Sequence, residues 1–245
     1  MRIGTSSPIK VNIASGLKVL PGYINYDNSI WLLMVPFRRL LRPVFPRWSW
    51  IERSERFYEA KKRAPLFYHD CTKSLPFPDI SVDEINCTHF LEHVYRSEAV
   101  AIVKDYHRVL KEGGKLLIEV PDLEKYIHQY LEADLKNKRA DQFIEKTLLT
   151  LRERPGLFMK ALQFFGFFSR HRWLYDEDSL TALVKECGFV DVTSEKVGGE
   201  SIMITATKRA RGLMEEPTCS ITDKARLIPA SLRKQRSASV ERQRE

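Results

Sequence analysis

The sequence predicts an α/β fold built on a Rossmann-like, mostly parallel sheet that ends in an antiparallel hairpin. Runs typical of strands alternate with stretches of helical periodicity, which is the order expected of β-α-β units. The segment KLLIEV (115–120) is the strongest strand pattern and is closed by Pro121-Asp122. Further on, VDVTSEKV (190–197) and SIMITATK (201–208) are joined by two glycines, which predicts the hairpin.

Four earlier segments predict parallel strands of the same sheet. They are KVNIA (10–14), GYINYD (22–27), PLFYHD (65–70) and VDEINCT (82–88). Only five residues separate Gly16 from Gly22, so the first crossover helix is predicted to be shortened or absent. Periodic apolar residues predict helices over 90–110, 123–168 and 179–189. The glycines at 113–114 are the predicted stop of the first of these helices.

Positive charge is unevenly distributed along the 245 residues, whose formal net charge is +8. Lysine and arginine concentrate in 31–64 and in 209–245, which leaves the remainder slightly acidic. We therefore predict one domain over 1–208, interrupted by a basic aromatic insertion at 29–64. The remainder, 209–245, has little periodicity and is predicted to be a disordered basic tail.

The cysteines and the N-terminal segment bear on location. The four cysteines are scattered and form no CxxC pair, which favours reduced thiols. The opening MRIGTSSPIK has no apolar run of signal-peptide length. No stretch reaches the roughly 18 to 20 apolar residues that a spanning helix requires. We therefore expect a cytoplasmic protein, with peripheral attachment to the inner face of the membrane as a further possibility.

Small or acidic residues follow the predicted strands where each strand ends. They are Ala14-Ser15-Gly16, Asp27, Asp70-Cys71 and Thr88-His89. Parallel strands bring these ends to one edge of the sheet, where ligands of such sheets bind. Small residues permit close backbone approach, and acids after the second and third strands can accept from ribose hydroxyls and from an adenine amino group. The pattern predicts a nucleoside-binding crevice, although each acid alone is also typical of a turn or a helix cap.

Several segments resemble class I S-adenosylmethionine-dependent methyltransferases. They are VNIASGLKVLPGYINYD, HDCTKSLPFPDISVDEINCTHFLEHV, YHRVLKEGGKLLIEVPDLE and HRWLYDEDSLTALVKECGF. The nearest subgroup is the compact bacterial one associated with cell-surface polysaccharide synthesis. The resemblance implies S-adenosylmethionine as the cofactor. It also implies cofactor contacts from Ala14, Ser15, Gly16, Asp27, Asp70, Cys71, Thr88 and His89.

The loop after the first strand departs from the Gly-x-Gly pattern of that family, because Ala14 stands in place of the first glycine. A methyl group at this position is tolerated only if the φ angle stays negative and the cofactor is not crowded. The departure counts against tight cofactor binding. It favours a rival interpretation, in which a catalytically silent methyltransferase-like fold binds a membrane or a partner protein.

The resemblance implies methyl transfer to a small-molecule or glycan acceptor, in particular a sugar hydroxyl of a surface or lipid-linked glycan. The protein must then align the acceptor and remove its proton, a task that suits a neutral histidine. The candidates are His89, at the cofactor edge, and His171, in RHRWLYDEDSL. Either histidine could instead be an ordinary polar contact.

The run His89-Phe90-Leu91-Glu92-His93 also matches the HxxEH pattern of inverted zinc peptidases. Its position at a strand end, rather than inside a helix, argues against that class. LEH-type motifs in some quinone-biosynthesis O-methyltransferases help to hold a divalent cation, and the match here is partial. Capping and core packing is the other interpretation of Glu92 and His93, and we favour it for His93; we assign no metal ligand.

The insertion at 29–64 interleaves arginines with large aromatic and aliphatic residues, and 155–173 has a similar character. This composition suits an anionic membrane surface. A buried lid over the acceptor pocket or a dimer contact explains it equally well. Binding of RNA is the third interpretation, and we expect no nucleic acid partner.

Overall fold

A seven-stranded sheet in the order β3-β2-β1-β4-β5-β7-β6 organises the chain. The computed structural model describes residues 7–43, 49–133, 139–150 and 170–210. Its strands are β1 Lys10–Ile13, β2 Ile24–Asp27, β3 Leu66–Tyr68, β4 Val82–Thr88, β5 Leu110–Pro121, β6 Phe189–Val197 and β7 Ser201–Lys208. The first five are mutually parallel, whereas β7 is antiparallel to both β5 and β6. The predicted fold class, including the closing hairpin, is confirmed.

The helices lie between the strands as a β-α-β order requires. They are α1 Ile30–Met34, α2 Arg38–Leu41, α3 Ser49–Arg63, α4 Arg96–Val109, α5 Leu123–Glu132, α6 Arg139–Thr147 and α7 Glu177–Glu186. Short 3-10 turns occupy Val35–Phe37 and Leu91–His93. Within the described ranges, no helix is long and apolar enough to cross a membrane. Residues 211–245, which make up most of the predicted tail, lie outside those ranges.

The helix predicted over 90–110 differs from the observed α4 at both ends. Residues 91–93 form a 3-10 turn, and α4 begins only at Arg96, because the Glu98 side chain accepts from the Tyr95 backbone N–H and caps the helix there. The helix ends at Val109, ahead of the glycines predicted to stop it, since Leu110 is already extended and starts β5. Of the helix predicted over 123–168, α5 and α6 are observed, and 151–168 lies outside the described residues.

The main hydrophobic core lies on the central strands. Five residues of α4 recur at helical spacing and are buried: Ala99, Ile102, Val103, Tyr106 and Val109. They join one cluster with the inward-facing residues of β1, β4, β5 and β7 and with α7. This core fixes the strands whose carboxyl ends carry the predicted site.

Ten residues, 14–23, connect β1 to β2 without a helix, which confirms the predicted shortening of the first crossover. Three asparagines in register on neighbouring strands hold this connection. Asn86 Nδ2 donates to Asn12 Oδ1 at 2.8 Å, and Asn12 Nδ2 donates to Asn25 Oδ1 at 2.8 Å. The Asn25 carboxamide also accepts from the Leu20 N–H at 2.8 Å. We call Asn12, Asn25 and Asn86 the asparagine ladder.

The segment at 29–64 forms the crossover from β2 to β3 and contributes a second hydrophobic cluster. Trp31 and Leu32 of α1 pack there with Phe57 and Ala60 of α3 and with Leu66 of β3. The cluster covers the sheet edge beside the short β1–β2 connection. The segment is therefore built into the fold on one side, and its other side faces solvent.

The ladder predicts unequal effects of two asparagine substitutions on stability. Asn25 is fully buried, and its side chain also donates to the carbonyls of Leu20, Tyr23 and Pro65. Asn25→Ala leaves several buried polar groups without partners, so we expect the free energy of unfolding to fall by about 3 kcal/mol. Urea denaturation followed by circular dichroism measures this value.

Asn86→Ala is the matched control. Asn86 is only half-buried, and its side chain donates to Asn12 and to the Thr88 hydroxyl. We expect a loss of about 1 kcal/mol. Equal losses for the two variants would contradict the role given to Asn25.

Candidate active site

The loop after β1 is fastened to the carboxyl end of β2 by the side chain of Asp27. The Gly16 N–H donates to Asp27 Oδ2 at 2.8 Å, and the Ser29 N–H donates to Oδ1 at 2.8 Å. Only 7% of Asp27 is exposed. Burial raises the pKa of the Asp27 carboxyl, and the two backbone hydrogen bonds oppose that rise. Each carboxylate oxygen retains a lone pair that can accept from a ligand hydroxyl.

Ala14 adopts the left-handed backbone conformation, which favours glycine. It stands where the Gly-x-Gly pattern of the family has its first glycine. Its φ angle is +49°, so the condition that φ stays negative is not met, and the methyl group of Ala14 counts against tight cofactor binding. The Cβ atom of a non-glycine residue costs about 1–2 kcal/mol in this region. Gly16, with φ +53°, occupies the same region without that cost.

The crevice at this loop has features that fit a polar ligand. The Ser15 hydroxyl oxygen is buried and has no hydrogen-bond partner among the described residues. An added Cβ on Gly16 would meet no atom within 4 Å, so there is open space beside the backbone. A buried hydroxyl normally has a partner, and a ribose or carboxylate group of a nucleoside cofactor would supply one.

Asp70 and Cys71 follow β3 and lie beside the same loop. Asp70 Oδ1 accepts from the Thr72 N–H at 3.1 Å and from its hydroxyl at 2.7 Å, which is the turn role that competes with cofactor binding. Cys71 is buried, and burial raises the pKa of its thiol to about 12. The Ala14 backbone opposes that rise through a hydrogen bond, which places this thiol against the first loop.

Thr88 and His89 end β4, next to the first loop. The His89 backbone also lies in the left-handed region, with φ +52°, and its N–H donates to the Glu119 carbonyl at 2.9 Å. Its ring nitrogens lie 3.4 Å from Glu92 Oε1 and 3.4 Å from Glu119 Oε1. The Glu92 carboxylate raises the pKa of His89, burial opposes the rise, and Glu119 adds to it. Thr88 accepts from the ladder residue Asn86 through its hydroxyl.

His171 reaches the same region from a distant segment. The Arg172 and Trp173 N–H groups donate to the Glu92 carbonyl at 2.7 and 3.2 Å, which fastens this segment to the 3-10 turn. The His171 ring centroid lies 4.9 Å from that of His93. Burial lowers the pKa of His171. The two histidines predicted to be catalytic therefore lie on either side of Glu92, His89 partly exposed and His171 buried.

Two buried polar groups lie behind this edge, Glu92, for which core packing is one of the predicted roles, and Tyr175, which sequence reasoning missed. Glu92 is 1% exposed, although a carboxylate is ordinarily placed on the surface. The Tyr175 hydroxyl is also buried without a hydrogen-bond partner in the described part of the chain, and burial raises its pKa to about 12. The HFLEH run was the signal for Glu92, whereas no sequence signal pointed to Tyr175.

These features define a Rossmann-like domain whose predicted ligand site lies at the carboxyl ends of β1, β2, β3 and β4. A family model described as a methyltransferase domain matches residues 50–118. This match confirms the prediction of a methyltransferase domain and supports S-adenosylmethionine as its cofactor. A comparison with curated protein sequences gives no match to this chain.

Solved structures similar to this chain include proteins from two thermophiles. A protein from Pyrococcus horikoshii is 15% identical, with 84% of each chain covered and a TM-score of 0.49. An S-adenosylmethionine-dependent methyltransferase from Thermotoga maritima, titled a possible histamine N-methyltransferase, is 16% identical, with 84% of each chain covered and a TM-score of 0.48. Human N-acetylserotonin methyltransferase is 12% identical over 83% of this chain and 48% of its own, with a TM-score of 0.43.

The backbone strain at Ala14 predicts that Ala14→Gly stabilises the protein. Glycine removes the cost of the left-handed conformation but loses more chain entropy on folding, so the net gain in the free energy of unfolding should be about 0.5–1 kcal/mol. Urea denaturation measures it. Ala101→Gly, at an exposed position inside α4, is the control and should lose about 1 kcal/mol. A loss in both variants would contradict the strain at Ala14.

Proposed function

We propose that this protein transfers a methyl group from S-adenosylmethionine to a hydroxyl group, in particular of a sugar in a surface or lipid-linked glycan. The observation that carries the proposal is the crevice beside the loop after β1. There, buried Asp27 accepts from the Gly16 N–H, and the Ser15 hydroxyl has no hydrogen-bond partner among the described residues. A nucleoside cofactor matches both groups, because its hydroxyls donate and accept. The match of residues 50–118 to a methyltransferase domain supports the same reaction class.

Each predicted residue then has a distinct task. Asp27 accepts from the ribose hydroxyls, and Asp70 accepts from the adenine amino group. The backbone of 14–16 and of Cys71 and Thr88 borders the cofactor. S-adenosylmethionine supplies a methyl group that its sulfonium already activates for displacement. His89, at the carboxyl end of β4 and partly exposed, removes the acceptor proton.

The glycan acceptor is supported by the resemblance to the compact subgroup and by the surface of the crossover between β2 and β3. Leu33, Phe37 and Leu40 are 47%, 54% and 73% exposed and recur at helical spacing, so they form an apolar stripe. A buried lid would not leave these three side chains exposed. Arg39 and Arg42 border the stripe and line a recess with Tyr58. We propose that this surface contacts anionic lipid, where a lipid-linked acceptor would be found.

Cofactor binding tests the proposed reaction class. Isothermal titration calorimetry with S-adenosylmethionine and S-adenosylhomocysteine should show binding to the native protein. Asp27→Asn should weaken it by about 10- to 100-fold, because the amide cannot accept at both oxygen positions. Asp79→Asn is the control, since Asp79 is exposed and paired with Arg108, and it should bind as the native protein does.

The absence of binding at millimolar ligand to folded native protein would overturn the enzyme proposal. That result would favour the rival function, a silent fold that binds a membrane or a partner protein.

Flotation with vesicles containing anionic lipid tests the surface. The native protein should float with these vesicles and remain unbound to neutral ones. The double variant Phe37→Asp and Leu40→Asp should lose flotation, because two apolar anchors become charges. Leu131→Asp, on α5, replaces a side chain that is 63% exposed and should float normally. A double variant that floats normally, or one that changes only the oligomeric state, would contradict the lipid contact.

A further inference from the structure

Glu92, His93 and His171 form a compact cluster behind the crevice, which we call the Glu-His cluster. Glu92 and His93 belong to the 3-10 turn after β4, and His171 belongs to the segment that this turn binds through backbone hydrogen bonds. One potential ligand atom from each of the three residues lies within 4.8 Å of the others. His93 Nε2 is 4.0 Å from Glu92 Oε1.

The cluster contains buried polar atoms that the described protein leaves without partners. Neither carboxylate oxygen of Glu92 has a hydrogen bond, although only 1% of the residue is exposed. His171 Nδ1 is likewise buried without a hydrogen bond. His89 Nδ1 lies 3.4 Å from Glu92 Oε1 as an ion-pair neighbour, but a buried carboxylate that lacks hydrogen bonds is costly, so natural proteins seldom retain one. These atoms are electron-pair donors aimed at a common space.

The outer hydrogen bonds of the imidazoles are those that metal ligands commonly make. His93 Nδ1 lies 2.9 Å from the Arg170 carbonyl oxygen and donates to it, which leaves the lone pair of Nε2 on the side of Glu92. His171 makes a hydrogen bond to the Thr147 backbone, and its Nδ1 remains without one. Backbone carbonyls that receive the second N–H of a histidine fix its tautomer and orient it toward a metal.

We propose that Glu92, His93 and His171 bind a divalent first-row transition-metal cation. Two imidazoles and one carboxylate suit Zn²⁺, Co²⁺, Fe²⁺ or Mn²⁺ and are unlike the all-oxygen sites of Ca²⁺ and Mg²⁺. Bonds of about 2.0–2.2 Å place tetrahedral ligands about 3.4 Å apart, so the three side chains move inward when the cation binds. Three protein ligands leave at least one coordination position open, as catalytic sites do.

The position of the cluster gives the cation a use that rests on the proposed methyl transfer. His89 Nδ1 lies 3.4 Å from Glu92 Oε1, so a cation held by the cluster would lie close to the region in which the acceptor is deprotonated. An acceptor hydroxyl bound there would lose its proton more readily, because a divalent cation lowers the pKa of a coordinated oxygen. The existence of the site is independent of that use.

Metal titration of the full chain, purified without a histidine tag and stripped with a chelator, tests the site. Native protein should bind about one equivalent of Co²⁺, with visible absorption bands that Zn²⁺ displaces. His171→Ala and Glu92→Gln should each weaken Co²⁺ binding by more than about 100-fold. His128→Ala, which removes an exposed histidine of α5, should bind as the native protein does. Circular dichroism establishes that each variant is folded.

Glu92→Gln keeps the shape of the side chain and removes a buried charge, so it decides the result if His171→Ala fails to fold. Saturable binding that is equal in native protein, Glu92→Gln and His128→Ala would overturn the site. So would the absence of visible Co²⁺ bands and of a saturable equivalent in folded native protein. Calorimetry with S-adenosylmethionine separates this failure from failure of the methyltransferase proposal, since the cofactor crevice uses other residues.

Discussion

The asparagine ladder is the constraint on which the crevice depends. Parallel strands are ordinarily joined through a helix that packs on the sheet, and β1 and β2 have no such helix. The asparagine ladder replaces that packing with hydrogen bonds that join three strands and reach the backbone N–H of Leu20. Because the ladder fixes the connection, the Gly16 N–H meets Asp27 and the crevice keeps its shape.

The end of β4 joins the two halves of the site. On one side, the Thr88 hydroxyl contacts the ladder, and on the other, His89 lies beside Glu92 and Glu119. A left-handed backbone at His89 turns the chain from the strand into the 3-10 turn that carries Glu92. Local strain of this kind persists only where surrounding contacts hold it, and it is concentrated at functional sites. The proposed cofactor crevice and the proposed acceptor region therefore meet at one strand end.

The sequence predicted the sheet, its closing hairpin and the strand ends that carry Asp27 and Asp70, because alternating patterns and strand-end acids are local signals. It did not predict the left-handed φ of Ala14, which the hydrogen bonds of the surrounding loop impose against the preference of alanine. It also did not predict the Glu-His cluster, since Glu92 and His171 are far apart in the chain and meet only through backbone hydrogen bonds. The observed α4 begins later than predicted because the Glu98 side chain accepts from the Tyr95 N–H and caps the helix there. Apolar periodicity does not reveal such a contact.

The second hydrophobic cluster limits how the segment at 29–64 can be altered or exchanged. Judged by its position in the sequence alone, the segment could be taken for an accessory insertion that is removable without effect on the rest of the fold. Trp31 and Phe57 instead cover Leu66, and the strand that contains Leu66 leads directly to Asp70. Removal of the segment would expose that strand to solvent and disturb the position proposed for the adenine contact. The outward stripe of Leu33, Phe37 and Leu40 is not part of that cluster and could be redesigned for a different surface.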